Sequence, residues 1–123
     1  MGNTAVNRSR ATFEDVAKQC DLLISVMEEG SDSDLLIAGT VPIAGEIAAV
    51  ELAIATKRPV IIYGTNAHDD RIYAKYDQIA KLGGVGKVYI GGLFEWLLLQ
   101  DIYGVDKFPT TSRTLDLYKF RPK

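Results

Sequence analysis

The stretch Pro59-Val-Ile-Ile-Tyr-Gly-Thr-Asn-Ala-His-Asp-Asp-Arg71 constrains this chain more than any other. Val60–Tyr63 has the continuous apolar run of a strand buried on both faces. Gly64–Arg71 is polar and opens into an amphipathic segment with Ile72, Tyr76, Ile79 and Ala80 along one side. A doubly buried strand that feeds a helix through a short loop belongs in a parallel α/β sheet. In such sheets ligands bind at the carboxyl ends of the strands, where loops meet the free N–H groups of helix N-termini. An active site, if the chain has one, is therefore expected in the loop Gly64–Arg71.

The flanking segments fit the same architecture. Thr12 and Asp15 form a Thr-x-x-Asp pattern that predicts a helix N-cap, and Phe13, Val16, Ala17 and Cys20 follow at helical spacing. That spacing puts Cys20 on an apolar helix face as an inert, buried thiol, with no adjacent His, Lys or Arg to lower its pKa. As the single cysteine it excludes an internal disulfide and fits a reducing compartment. Asp21–Met27 predicts a buried strand, Glu28–Asp34 a solvated acidic loop, and Leu35–Ala38 a short helical turn. Thr40–Gly45 reads as a short edge strand, because Pro42 has no N–H to give a central ladder. Glu46–Thr56 predicts a helix with Ile47, Val50, Ala53 and Ile54 on one face.

Downstream, Gly83-Gly84-Val85-Gly86 follows a helix and precedes a strand. A dinucleotide-binding fingerprint needs the reverse order, so the glycines are a helix stop and a turn, and no cofactor is implied. Lys87–Ile90 predicts the next strand and Leu93–Tyr103 a final helix that is apolar almost all round. Such a helix is buried on more than one side. One side meets the sheet; the other needs either the chain's own tail, with Phe108, Leu115, Leu117, Tyr118 and Phe120, or a partner subunit.

Charge and motif content narrow the function. A formal net charge of −2 leaves no electrostatic footprint for nucleic acid. No run of about eighteen apolar residues is present to span a membrane. Val6 stands where a myristoylation motif needs Ser or Thr. His68, Asp69 and Asp70 are the nearest approach to a metal set, but three adjacent residues rarely aim at one ion, so no metal is expected. An intracellular and most simply cytoplasmic chain is expected, with a cytoskeletal or organellar assembly left open.

Several of these segments resemble rhodanese-like domains. Thr12-Phe-Glu-Asp-Val16 with Asp21-Leu-Leu-Ile-Ser-Val26 resembles their opening helix and first central strand. Ala38-Gly-Thr-Val-Pro-Ile-Ala-Gly45 resembles their Gly-His-Ile-Pro-Gly-Ala segment, and Pro59–Gly64 the strand that carries their active-site loop. Lys87-Val-Tyr-Ile-Gly-Gly-Leu-Phe-Glu-Trp96 resembles their closing segment. The resemblance covers residues 11–97 in order. It implies a three-layer α/β fold, a mostly parallel five-stranded sheet with helices on both faces. It divides the chain into an N-terminal extension (1–10), a rhodanese-like domain (11–104) and a C-terminal tail (105–123) packed on the domain or on a partner.

The resemblance also implies a sulfurtransferase or related phosphatase whose nucleophilic cysteine is the first residue of the loop. A thiolate is needed there to carry a sulfur or phosphoryl group between two covalent steps. Gly64 stands at that position, and Arg71 comes later than the family's anion-gripping arginines. Thr65 lacks an adjacent base, and Cys20 belongs to the opening helix, away from the loop. Asp69 and Asp70 are expected to cap the following helix and to repel an arriving anion by about 3 kcal/mol each at ~5 Å and an effective dielectric of ~20. The expectation is a domain with no catalytic residue, its loop Gly64, Thr65, Asn66, Ala67, His68, Asp69, Asp70 and Arg71 being vestigial. It would serve as a structural or protein-interaction module, as a subunit of a larger assembly, with a candidate surface of Phe94, Leu98, Ile102, Phe108, Tyr118 and Phe120. Two alternatives stay open: a small-molecule or anion sensor in which Thr65 and Asn66 donate hydrogen bonds, and a weak sulfurtransferase or phosphatase-like enzyme.

Overall fold

The computed structural model of the chain describes residues 8–27, 35–114 and 116–122. Elements alternate along the chain: α1 (Phe13–Ala17), β1 (Leu22–Ser25), α2 (Glu46–Thr56), β2 (Val60–Tyr63), α3 (Arg71–Lys81), β3 (Gly86–Tyr89) and α4 (Gly92–Tyr103). The strands are parallel in the order β1-β2-β3, in a register that aligns Leu22 with Val60 and Tyr63 with Tyr89. Alternate side chains divide between two cores. Leu23, Ile61, Tyr63 and Tyr89 meet Val16 and the Leu93–Leu97 turn of α4. Leu22, Ile24, Val60, Ile62 and Val88 meet Val50 and Ala53 of α2 and Ile72 and Ile79 of α3. Helices on both faces explain why the strand sequences are apolar without alternation.

Against the five-stranded sheet that the resemblance implies, the described residues form three strands with a single parallel bridge on each edge. Thr40 bridges to Leu23, where Val41 N–H donates to the Leu23 carbonyl (2.9 Å). Pairing stops there because Pro42 has no N–H and Ile43–Gly45 turns into a 3₁₀ helix. On the other edge Arg10 bridges to Val88, with Ala11 and Ser9 exchanging backbone hydrogen bonds with Val88. Thr12 then ends the extended run by capping α1. Its hydroxyl accepts from Asp15 N–H (3.3 Å) and Asp15 accepts from Thr12 N–H (2.9 Å), the capping box that the sequence predicts.

Three local expectations are corrected. Helix α1 ends at Ala17 and the chain reverses through Gln19, whose φ is 54°. Cys20 therefore lies beyond the helix and is exposed, not buried. On α2, Val50 and Ala53 face the sheet while Ile47 is 77 % exposed, and on α3 Ala80 is exposed. Leu35–Ile37 runs alongside the tail and not as a helical turn, because the tail supplies it with partners, and Ala38 opens the turn to Thr40. Ile37 forms an antiparallel bridge with Thr110, Ala38 N–H donates to the Pro109 carbonyl (3.0 Å), and Thr111 N–H donates to Leu36 (2.8 Å). The loop expected at Glu28–Asp34 lies outside the described residues.

The tail also covers α4 of its own chain. Phe108 is buried and its ring meets Trp96 edge-on at 5.0 Å between centroids. Trp96 Nε1 donates to the Pro109 carbonyl (3.0 Å) and Gln100 Nε2 to the Phe108 carbonyl (2.8 Å). The 3₁₀ turn Leu117–Phe120 then buries Phe120 against the same core. Burying two phenylalanine side chains contributes about 1.5–3 kcal/mol each and covers the Trp96 side of α4, while Ile102 and Tyr103 at its end stay exposed.

Candidate functional site

Strand β2 delivers the chain to the loop at its carboxyl end, and α4 fixes what comes next. Leu93 N–H and Phe94 N–H, free donors at the helix start, bond to the carbonyls of Gly64 and Thr65 (2.9 Å each). This close approach requires Gly92. Its φ is +65°, and a β-carbon there would lie 2.5 Å from the Gly64 oxygen.

The decisive contact is between Gly64 and Asp69. A β-carbon placed on Gly64 would run into the Asp69 carboxylate, with Cγ at 2.6 Å and Cβ at 2.9 Å. The carboxylate thus occupies the space that any side chain at position 64 would enter. It is held there on both oxygens. Oδ2 accepts from Thr65 N–H (2.9 Å) and from Arg71 Nη2 (2.6 Å), and Oδ1 accepts from Arg71 Nε (2.7 Å) and from Arg71 N–H (3.3 Å). The Asp69 side chain is 7 % exposed. Burial alone would raise its pKa, but the hydrogen bonds from Arg71 and Thr65 outweigh it and hold the carboxyl at about 2. The group is an anion across the physiological range.

Asn66 is engaged as well. Asn66 Oδ1 accepts from His68 N–H (2.9 Å), and Asn66 Nδ2 donates to the Phe120 carbonyl of the tail (2.8 Å). Ala67, His68 and Asp70 are exposed. Asp70 is the N-cap residue of α3 but makes no side-chain hydrogen bond to the helix, so the capping expected of both acids falls to Asp69 alone. The reason is backbone geometry: Asp70 has helical dihedrals, whereas a capping side chain reaches N2 or N3 from an extended residue. Among the described residues no group of three or more His, Cys, Asp and Glu is arranged to hold a metal ion.

Beside the loop runs a groove of about 450 Å³ that includes Ser25, Ile43, Arg71, Lys75 and Gln78. Both of its cations are bonded to acids, Arg71 to Asp69 and Lys75 to Glu46 (3.0 Å). Two tyrosines below the loop carry polar roles that a strand pattern conceals. Tyr63 Oη accepts from Ile37 N–H (3.1 Å) and pairs with Thr40 Oγ1 (2.7 Å), pinning the 37–40 segment, and burial pushes its pKa to about 12. Tyr89 Oη is buried with no hydrogen-bond partner among the described residues, and burial with the nearby Glu95 carboxylate pushes its pKa up.

The backbone has counterparts among solved structures. It superposes on a thiosulfate sulfurtransferase from Pseudomonas aeruginosa with a TM-score of 0.58 at 12 % identity, over 77 % of this chain. It superposes on the BH2092 protein from Bacillus halodurans with a TM-score of 0.57 at 15 % identity, over 84 % of this chain and 79 % of that one. The chain has the rhodanese-like fold. It spans 20 % of the length of the Pseudomonas sulfurtransferase. Neither a family profile nor a curated protein sequence matches the chain.

Within the rhodanese-like fold, Cys20 lies at the wrong end of the sheet to stand in for a loop nucleophile. It precedes β1, whereas the loop follows β2. A four-residue strand at about 3.3 Å per residue puts roughly 13 Å between those ends. Of the residues expected on an interaction surface, Phe108 and Phe120 are core residues of this chain, because the tail folds back on α4. Phe94 and Leu98 are half-buried, Phe94 packing on Tyr118 at 6.4 Å between centroids. Ile102 (69 %) and Tyr118 (59 %) are exposed. No helix among the described residues is long and apolar enough to cross a membrane.

Proposed function

We propose that this chain is a non-catalytic rhodanese-like domain that works as a structural or protein-interaction module within a larger assembly. One observation carries the reading: the Asp69 carboxylate fills the side-chain space over Gly64 and takes up Arg71 and the Thr65 amide. A substrate anion at this loop would need those same donors. It would instead find both donors already taken by Asp69 and no thiol. The same contacts weaken the sensor alternative, because Thr65 N–H and the Asn66 amide already have partners inside the chain. The partner surface centres on Ile102 and Tyr118 with the half-buried Phe94 and Leu98.

The test is enzymatic. Purified protein is assayed for thiosulfate:cyanide sulfurtransferase and for aryl phosphatase activity, beside its Cys20→Ser variant. Background rates in both are expected; turnover that survives Cys20→Ser overturns the proposal for that substrate.

A further inference from the structure

A cavity of about 120 Å³ opens at the end of the sheet opposite the loop, where β1 and β2 begin. Its floor is apolar, made by Val16, Leu23 and Ile61, and two backbone reversals frame its mouth: Gln19 at φ 54° and Gly39 at φ 92°. Gln19 Nε2 donates to the Ala38 carbonyl (3.4 Å) and ties one lip to the other. A non-glycine residue held at positive φ costs of order 1 kcal/mol or more, and such strain gathers at binding sites.

The charges at the mouth select the ligand. Arg58 Nε donates to the Cys20 carbonyl (3.1 Å), and this guanidinium makes no other side-chain hydrogen bond among the described residues. Its two Nη groups remain as donors in a fork suited to a carboxylate. The one acid lining the cavity, Asp21, is neutralised by Lys87 Nζ at 3.2 Å. The mouth is therefore net positive over an apolar floor. An apolar cavity of about 150 Å³ holds benzene, so this one suits a ligand of about six heavy atoms.

We propose that this cavity binds a small aliphatic carboxylate, its head on Arg58 and its alkyl chain against Val16, Leu23 and Ile61. The site is independent of the Gly64–Arg71 loop, so its test and the turnover assay fail separately. The isotope-labelled 123-residue chain is titrated with sodium butyrate and, at matched ionic strength, with n-butylamine hydrochloride. Butyrate is expected to shift the Gln19, Leu23, Gly39 and Ile61 amide resonances saturably, with a Kd of about a millimolar, and n-butylamine to leave them in place. Arg58→Gln, at an exposed position that keeps the fold, is expected to weaken butyrate at least about tenfold, and Val16→Phe to abolish binding by filling the floor. Shifts that do not saturate, equal shifts with the amine, or unchanged butyrate affinity in Arg58→Gln overturn the proposal. Where Val16→Phe does not fold, Arg58→Gln alone decides.

Discussion

The two ends of the sheet in this chain are finished differently. At the carboxyl end of β2, where an α/β sheet ordinarily receives its ligand, Asp69, Arg71, Thr65 and Asn66 consume one another and the tail, and Gly64 leaves no side chain to project. At the amino end of β1, Gln19, Gly39 and Arg58 line a small cavity. The contrast teaches that the polar groups at a binding-prone position of a fold can find their partners within the chain itself.

The sharpest way to break this contrast is to pry the closed end apart. Gly92→Ala adds a methyl at φ +65° within 2.5 Å of the Gly64 oxygen and 3.0 Å of Asn66 N. Strain and collision together are expected to cost at least about 3 kcal/mol in urea unfolding. A cost under about 1 kcal/mol would mean the loop is not held against α4. Next in size, Gly64→Cys is expected to lose about 1–3 kcal/mol, because its side chain meets the Asp69 carboxylate. Adding Asp69→Ala should recover part of that, a coupling of about 1 kcal/mol or more in a double-mutant cycle. Additive effects would remove Asp69 as the occupant of that space.

Acid sharpens the comparison further. Folding lowers the Asp69 pKa from 3.8 to about 2, so its contribution is complete above the unfolded value and is lost as pH falls from ~4 toward 2. Allowing for screening at the exposed Arg71, the wild type should lose about 1–2 kcal/mol more than Asp69→Asn over that interval, read from urea midpoints at each pH. The smallest effect belongs to the open end. Cys20 is exposed, so it should react with a disulfide reagent in the native protein as fast as in the unfolded chain, and Cys20→Ser should change stability by less than about 0.5 kcal/mol. A protected thiol would mean that the amino end is as closed as the other.

What the sequence predicts well is what neighbouring residues decide. Glu46–Thr56 and Val60–Tyr63 lie where periodicity and apolar runs place them, and the Thr12–Asp15 box closes as its spacing predicts. The sequence places two acids in the loop ahead of α3. That Asp69 turns back onto Gly64 and Arg71 while Asp70 caps nothing was not legible, because it depends on loop dihedrals. Leu35–Ile37 took its shape from Thr110, more than seventy residues away, and a local pattern carries no trace of that partner. Cys20 failed for a local reason: the apolar spacing continues past Ala17, but the chain reverses at Gln19. Pro42 points to the edge of the sheet, where Thr40 does bridge to Leu23, but the edge strand expected over Thr40–Gly45 is reduced to that bridge because Ile43–Gly45 turns into a 3₁₀ helix.

The fit of Gly64 beneath Asp69 also bears on how such a chain changes over generations. A cysteine arriving alone at position 64 collides with the carboxylate, and an aspartate lost first at position 69 leaves Arg71 and the Thr65 amide without their acceptor. Either order passes through a less stable protein, and two changes must coincide to avoid the dip. The glycine is thus fenced by its neighbour on both mutational routes.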